Sequence, residues 1–314
     1  MLKRSTIALL LITSAAALAQ TATPAPAPDF ALRKLAEGVY AGINPDGGRA
    51  GSNAGFIVGK DCVAVVDTFV SEAAARALLA EIRKVTDLPI RFVVNTHYHL
   101  DHTGGNKVFA EAGAAIIAHK NLAGWLRTEN MKFFPNPTPE QRARVESLVG
   151  PQLTYTDGVD LDLGGRAVRV RYFPGHTGGD SVVFVPDANV VFAGDLGWNH
   201  HLPNLIDANT LAWIETLDKM LAAHPQGIFV PGHGDIAKAE DMRDFRDYLA
   251  ALRVAVGKAR VAGKTGDDLT AAATAELQPK YGSWGFNRFM KFNIEQTAAE
   301  LDAKKKIPVP VGVP

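Results

Sequence analysis

The sequence predicts an α/β protein, and three observations carry that prediction. Short apolar runs of strand length recur at residues 55–58, 63–66, 91–94, 114–118, 167–173, 181–185, 190–193 and 227–230. Between several of them lie stretches with apolar residues at helical spacing, at 72–85, 209–224 and 237–261. Several strand-like runs also end in histidine or aspartate, the arrangement of a site assembled where strand-end loops converge.

Composition bounds the function. The chain has 314 residues, 47% of them hydrophobic, and its 33 Lys and Arg balance 33 Asp and Glu. A net charge of zero offers no general attraction to nucleic acid or an anionic membrane, so the expected partner is a small-molecule substrate. One organising motif in the first third of a chain this long favours one large α/β domain with additions over two domains.

Taken in order, the chain opens with a leader. Lys3 and Arg4 precede an apolar run from Ile7 to Leu18, and Ala17-Leu18-Ala19 has the small-x-small pattern of a signal-peptidase site. Residues 1–19 are therefore expected to be removed, placing the mature protein in the periplasm or outside the cell. The run is too short to span a bilayer comfortably, so no stable membrane insertion is expected after cleavage. Residues 20–30 are Pro/Ala-rich and cannot bury a core. Cys62 is the only cysteine, which excludes an intramolecular disulfide and reads as a small buried hydrophobe.

The strand-like pattern begins at Val39. Gly59-Lys60-Asp61 between two apolar runs signals a hairpin, whose second strand ends at Asp67-Thr68. Ser71 is a good N-cap for a helix over 72–85, with Ala75, Leu78, Leu79, Ile82 and Val85 on one face. That helix returns the chain to the strand at 91–94 and to the stretch NTHYHLDHTGGN. Three histidines and an aspartate fall there within six positions, from His97 to His102. If the segment runs extended, His97, His99 and Asp101 leave on one face and His102 points elsewhere. Two adjacent metal positions follow from that reading. Gly104 and Gly105 are expected to turn the chain tightly into the next helix, whose amides would face the metals.

Further on, Phe133 and Phe134 read as core contacts in preference to an overhang of the site. Pro174-Gly175-His176, Gly194-Asp195 and Pro231-Gly232-His233 each follow a strand-like run, the glycine letting the backbone bend so that the ligand-type residue aims at a common point. His119 and His224 read as structural. Trp198, Asn199, His200 and His201, just after Asp195, are candidate substrate contacts. Helices are expected at 209–224, about 237–261, 269–277 and 289–301.

His97-x-His99-x-Asp101-His102, followed in order by His176, Asp195 and His233, resembles the signature of the metallo-beta-lactamase-fold hydrolases over residues 55–235. The resemblance implies a four-layer αββα sandwich, two mixed sheets face to face with helices outside, over residues 31–240. Residues 241–314 resemble the helical C-terminal extension of exported members. It further implies that His97, His99 and His176 hold one metal, that Asp101, His102 and His233 hold a second, and that Asp195 bridges them. Asp67 would support the ligands by hydrogen bonding. The implied cofactors are two divalent ions, expected to be zinc, with Asp101 and Asp195 taking part in catalysis. The implied activity is attack of a metal-activated hydroxide on a carbonyl-type centre. Asp195 resembles the glyoxalase II-like ligand set, where zinc beta-lactamases typically place cysteine or serine, and so favours ester, thioester or lactone substrates. A dedicated beta-lactamase and a mono-iron sulfur dioxygenase-like oxidoreductase are the alternatives. The nuclease branch would want a basic face and an inserted domain, and a flavo-diiron reductase would want glutamate in place of His99; neither is present.

Overall fold

The computed structural model describes residues 29–308. The expected signal peptide and nearly all of the leader lie outside the described residues. Seven strands form the first sheet: β1 Ala31–Ala36, β2 Val39–Ile43, β3 Ala54–Val58, β4 Val63–Val66, β5 Ile90–Val94, β6 Ala115–His119 and β7 Leu153–Tyr155, side by side in chain order. Its first four strands pair antiparallel and its last four parallel. The second sheet has five strands, β8 Gly158–Asp162, β9 Ala167–Tyr172, β10 Ser181–Val185, β11 Val190–Trp198 and β12 Ile228–His233, in the order β12-β11-β10-β9-β8. Only β11 and β12 are parallel there.

Alternation along the strands builds the layers. In β4, Ala64 and Val66 face the second sheet while Val63 and Val65 face the other way, and in β10 Val183 and Val185 face the first sheet while Val182 and Phe184 face out. Both faces of such strands are buried, which explains why their sequences are continuous apolar runs. On the outer face of the first sheet pack α1 Glu72–Val85 and α3 Asn106–Glu111. Ser71 caps α1 by accepting from the Ala74 amide at 3.3 Å, a contact worth about 1 kcal/mol. On the outer face of the second sheet pack α6 Thr210–Ala223, α7 Ala239–Val261, α8 Gly266–Tyr281 and α9 Phe289–Leu301. The result is an αββα sandwich in four layers. No helix of the described residues is long and apolar enough to cross a membrane.

Several local expectations need correction. The chain does not stay extended beyond Val94: residues 95–99 turn, and Leu100–Thr103 forms one helical turn, α2, that carries Asp101 and His102. Gly104 and Gly105 have ordinary negative φ and serve close packing instead, since a side chain on either would strike the backbone oxygen of Val70 or Thr68. β11 continues through Gly194 and Asp195 to Trp198 because β12 runs parallel beside it, with register shifts on either side of Gly194. Strands β1, β7 and β8 and helix α5 Pro139–Glu146 are additions to the expected elements.

The two sheets meet at one edge. The Asn53 amide donates to the Gly232 carbonyl at 2.7 Å, and the Ser181 amide to the Thr96 carbonyl at 2.8 Å. These bonds tie the start of β3 to the end of β12 and the turn after β5 to the start of β10, on the edge where β4 and β11 also end.

Candidate metal centre

At that edge the structure brings together all seven candidate ligands. Beyond β5, Thr96 holds the turn: its amide and hydroxyl donate to the two oxygens of Asp67, at 2.8 and 2.7 Å. Asp67 itself has φ +56°, a left-handed conformation that aspartate tolerates better than most residues. Its Oδ2 also lies 2.8 Å from His102 Nδ1. A carboxylate there selects the Nδ1–H tautomer and leaves His102 Nε2 pointing into the cluster.

His97, His99, His176 and Asp195 form one set, with one donor atom from each within 4.8 Å of the others, and Asp101, His102 and His233 form a second by the same measure. Asp195 stands between them. Its Oδ2 is 3.2 Å from His176 Nε2 and 3.8 Å from His97 Nε2; its Oδ1 is 3.0 Å from His102 Nε2 and 3.4 Å from His233 Nε2. His233 Nε2 is 3.3 Å from Asp101 Oδ2. In the first set His99 Nδ1 lies 3.0 Å from His176 Nε2.

Whether these residues suit a metal can be judged from their unspent donors. His97 Nε2, His102 Nε2 and Asp195 Oδ1 are buried without a hydrogen-bond partner among the described residues. Buried polar atoms are almost always satisfied, so three orphans aimed at one point fit cations as their missing partners. The donor set, imidazole and carboxylate, suits zinc and other divalent ions of similar preference.

Burial and charge pull the titrations apart. Burial, then the neighbouring His102, push His97 well down, and burial takes His176 to about 3. For His233, burial is outweighed by Asp195 and Asp101, which raise it to about 9; His102 is raised for the same reason. Burial is likewise outweighed at Asp101, which His102 and His233 bring to about 2, and at Asp195, which four histidines hold well below the carboxylate range. Both carboxylates are thus ionised and available as ligands.

Glycines give the ligands room. Of the three that precede a ligand, only Gly194 takes positive φ, +52°, bending β11 before Asp195. Gly232 is needed for space: a Cβ there would fall 1.8 Å from Asp195 Oδ1. Asn53 Nδ2 donates to the carbonyls of Pro231 and Gly234, both at 2.8 Å, and so holds the end of β12 that carries His233.

A cleft of about 280 Å³ opens over Asp101, Asp195 and His233. Val70, Leu100, Phe133, Trp198, Phe286 and Phe289 form its apolar wall, and Arg288 stands on its rim. Trp198 is in the wall and stacks on His233 at 4.2 Å. Asn199, His200 and His201 do not line the cleft. Asn199 donates to the carbonyls of Asp235 and Ile236; His201 lies 2.5 Å from Asp46; His200 is exposed against Trp284. Phe133 sets its edge against His99 at 5.0 Å over the site, contrary to the core role expected of it, whereas its neighbour Phe134 packs on the core. His119 is structural, stacked on Tyr172 at 4.3 Å, as His224 is on Phe184 at 4.8 Å.

Sequence reasoning missed Asp207. Its Oδ2 lies 3.5 Å from His99 Nε2, it accepts from the Tyr98 hydroxyl, and Lys132 Nζ approaches both its oxygens, at 2.5 and 2.6 Å. Burial is outweighed at Asp207 by His99 and Lys132, which hold it below the carboxylate range. It serves His99 as Asp67 serves His102. No local motif marks it, since its partners are remote in sequence.

Known proteins resemble this chain in sequence and in fold. A metallo-beta-lactamase type 2 from Bacteroides fragilis is 24% identical over 221 residues, covering 68% of this chain and 82% of that protein. A linear primary-alkylsulfatase from Pseudomonas sp. is 25% identical over 65% of this chain, and a hydroxyacylglutathione hydrolase from Brucella anthropi 29% identical over 45% of it. In each of these two the match spans 46% of the relative's own length. A metallo-beta-lactamase structure from Pontibacter korlensis superposes with a TM-score of 0.57 at 20% identity, covering 70% of this chain and 99% of that one, which establishes the shared fold. The Metallo-beta-lactamase superfamily profile matches residues 47–255, a span from before Asp67 to beyond His233. With that match covering more than half of its length, the chain belongs to the metallo-beta-lactamase superfamily.

Proposed function

We propose that this protein, a metal-dependent hydrolase by its family, is exported, holds two zinc ions, and cleaves an ester, thioester or lactone by adding water across the acyl bond. The observation that carries the proposal is the placement of Asp195, one carboxylate oxygen toward each ligand set. His97, His99 and His176 would hold one ion and Asp101, His102 and His233 the other. Two divalent cations there would supply Lewis acidity and bring a bound water into range of deprotonation at neutral pH.

The chain's own residues set the conditions for that chemistry. Asp67 and Asp207 take the N–H groups of His102 and His99, so each imidazole presents its other nitrogen inward. Asp101 and Asp195 offset two of the four positive charges. With two divalent ions bound, the surplus would favour negative charge developing on a carbonyl oxygen. Trp198, Phe133 and Phe286 give the acyl group an apolar wall and limit water to the cleft floor. Aspartate rather than cysteine or serine at position 195 supports acyl esters over lactams. So does a relative whose name gives hydroxyacylglutathione, a thioester, as its substrate. The longer reach of the match to the Bacteroides lactamase favours a dedicated beta-lactamase as the second reading. A mono-iron oxidoreductase is the third.

Metal quantification on the purified mature protein, with a panel of thioester, lactone, aryl ester, organophosphate and beta-lactam substrates, tests the assignment. Two zinc ions per chain with acyl hydrolysis is the expected result. One iron per chain would move the protein to the oxidoreductases, and preferred beta-lactam turnover to the lactamases. Export predicts Gln20 as the N-terminal residue of periplasmic material; an intact Met1 would refute it.

A further inference from the structure

We propose that Lys305 and Glu300 are positioning residues for the metal centre: they clamp the turn at 205–210 that delivers Asp207 to His99, so that the C-terminal extension helps to hold the ion of the first ligand set. The inference rests on the two-metal reading for what His99 binds, and on the hydrogen bonds of the extension for the clamp. Both residues lie past residue 255, where the match to the family ends.

Asp207 sits in the connection from Trp198, the end of β11, to Thr210, the start of α6. The bonds within this connection are local: the Ile206 amide donates to Asn204 Oδ1 at 3.0 Å and the Ala208 amide to the Leu205 carbonyl at 3.2 Å. The extension ties it down from outside. At the near end Gly285 and His201 form a β-bridge, with the Leu202 amide donating to the Gly285 carbonyl at 2.9 Å and the Gly285 amide to the His200 carbonyl at 2.8 Å. At the far end Lys305 Nζ donates to the carbonyls of Leu205 and Ala208, at 2.6 and 2.5 Å, one on either side of Asp207. Glu300 accepts from the amide and hydroxyl of Thr210, at 3.1 and 2.8 Å. Arg253 Nη1 closes the group, donating at 2.6 Å both to Glu300 and to the Thr210 hydroxyl. Each of these anchors is charged, and charged groups make the stronger hydrogen bonds. The Asn209 amide then donates to the Gly175 carbonyl at 2.9 Å, so the same turn also bears on the approach to His176.

The end of α9 is shaped to aim Lys305 at that turn. The Ala303 amide donates to the Glu300 carbonyl at 3.0 Å and the Lys304 amide to the Ala299 carbonyl at 2.8 Å, the paired bonds of a Schellman cap, with Ala303 at φ +54°. Glycine is the usual residue there, and alanine is strained. Such strain persists only where the surroundings fix the chain. A lysine that served the helix end alone would bind the last carbonyls of its own helix. Lys305 instead takes two carbonyls that lie 100 and 97 residues away in sequence. The bond it protects has little margin: Asp207 Oδ2 is 3.5 Å from His99 Nε2, and a shift of the turn by about 1 Å would break it.

The test uses the zinc-loaded full chain with Lys305→Met, which keeps the stem and removes the donors, Lys305→Arg and Glu300→Ala, each also combined with Asp207→Ala. Zinc affinity is read by competition with a chelator, and backbone order by hydrogen exchange of the peptide spanning 199–209. Lys305→Met and Glu300→Ala should each weaken one zinc ion of the two ~3- to 10-fold, the scale on which residues outside a site shift its affinity, and speed exchange of 199–209. Lys305→Arg still offers donors to both carbonyls and should recover most of the loss. In the Asp207→Ala background neither variant should cost anything further, because the path to His99 is already cut. The same loss with Asp207 present or absent would make the clamp a matter of packing and overturn the proposal, as would parent affinity in both variants. If Glu300→Ala unfolds through the Arg253 it leaves unpaired, Lys305→Met, beyond the end of α9, still decides. A parent chain that bound no zinc would end the two-metal reading, while faster exchange of 199–209 in Lys305→Met would leave the clamp on Asp207 standing. Unchanged exchange in that variant would end the clamp in either case.

Discussion

The floor and the rim of the cleft are made by different means. Floor residues are buried apart from the half-buried Asp101, and two of their imidazoles, His102 and His99, are oriented by hydrogen bonds to Asp67 and Asp207. They come from strand ends of both sheets, locked together by Asn53 and Ser181. Rim residues come from the turn before α9 and from the Asn130–Phe133 turn, and they meet the floor through ring contacts. Hydrogen-bonded parts tolerate displacement poorly, because a buried donor that loses its partner costs its full desolvation. Ring packing shifts at lower cost. Reaction type therefore belongs to the floor and substrate choice to the rim, and substitutions in the two should separate kcat from KM.

The largest effect is expected at the centre of the floor. Asp195→Ala removes a ligand from both sets together with the negative charge between two cations. Metal stoichiometry should drop below two and hydrolysis by at least ~100-fold, beyond what losing a supporting residue costs. Two retained metals at an unchanged rate would mean that Asp195 is no bridge, and the assignment would move toward the lactamases.

Asp207→Ala tests whether the floor reaches beyond its ligands. Without Asp207, His99 loses the group that fixes its tautomer and Lys132 loses its counter-charge. Metal affinity, read by competition with a chelator, should fall ~10- to 100-fold, the usual cost of losing such a partner. Asp207→Asn should recover part of the loss, since an amide oxygen still accepts from His99. Affinity equal to the parent in both variants would confine Asp207 to packing.

The same division explains what the sequence made legible. His97, His99, Asp101 and His102 stand out because metal-binding side chains rarely crowd into six positions, and His176, Asp195 and His233 because each follows a glycine at the end of an apolar run. The α/β class was legible for a related reason, since strands buried on both faces are continuously apolar, whereas the sandwich came from the resemblance to the family. Backbone path was less so. An extended run and a helical turn both bring His97, His99 and Asp101 together, and only the tertiary position of Thr96 on Asp67 selects the turn. Phe133 and Phe134 are neighbours of equal hydrophobicity, yet the 3-10 turn sends one over His99 and the other into the core. Arg288 and Phe286 carried no signal, because their place at the site exists only through the Gly285–His201 bridge.

Gly285→Ala is the corresponding test of the rim. A Cβ there would lie 2.4 Å from His201 Cδ2, and that ring cannot yield without giving up Asp46 or Asn199. The rim must back away, moving Phe286 and Arg288 while leaving every ligand in place. KM for a well-accepted substrate should rise roughly three- to tenfold, with kcat within about twofold and two metals still bound. A fall in kcat or in metal content at unchanged KM would show that rim and floor are one unit.

The smallest effect is expected at His119, which sharpens the comparison from outside the site. It ends β6, the parallel neighbour of the strand that leads to His97, so its position in the sheet is that of a ligand. Its neighbours differ: Tyr172 stacks on its ring, and its Nδ1 accepts from the Asn121 amide at 3.3 Å. Burial lowers its pKa to about 4, so it folds as the neutral imidazole. An unfolded chain binds the proton near pH 6.5, so between 6.5 and 4 the unfolded state carries more protons and stability falls as pH falls. From pH 7 to 5 the penalty, discounted for partial solvation, is about 1 kcal/mol. His119→Phe keeps the stack on Tyr172 and removes the titration, so its Tm should drop less than the parent's over that interval, with metal content unchanged. If Tm falls equally in both, His119 contributes nothing to acid sensitivity. If metal is lost, the strand-end position matters to the floor after all, and the boundary between ligand and scaffold has to be drawn one strand further out.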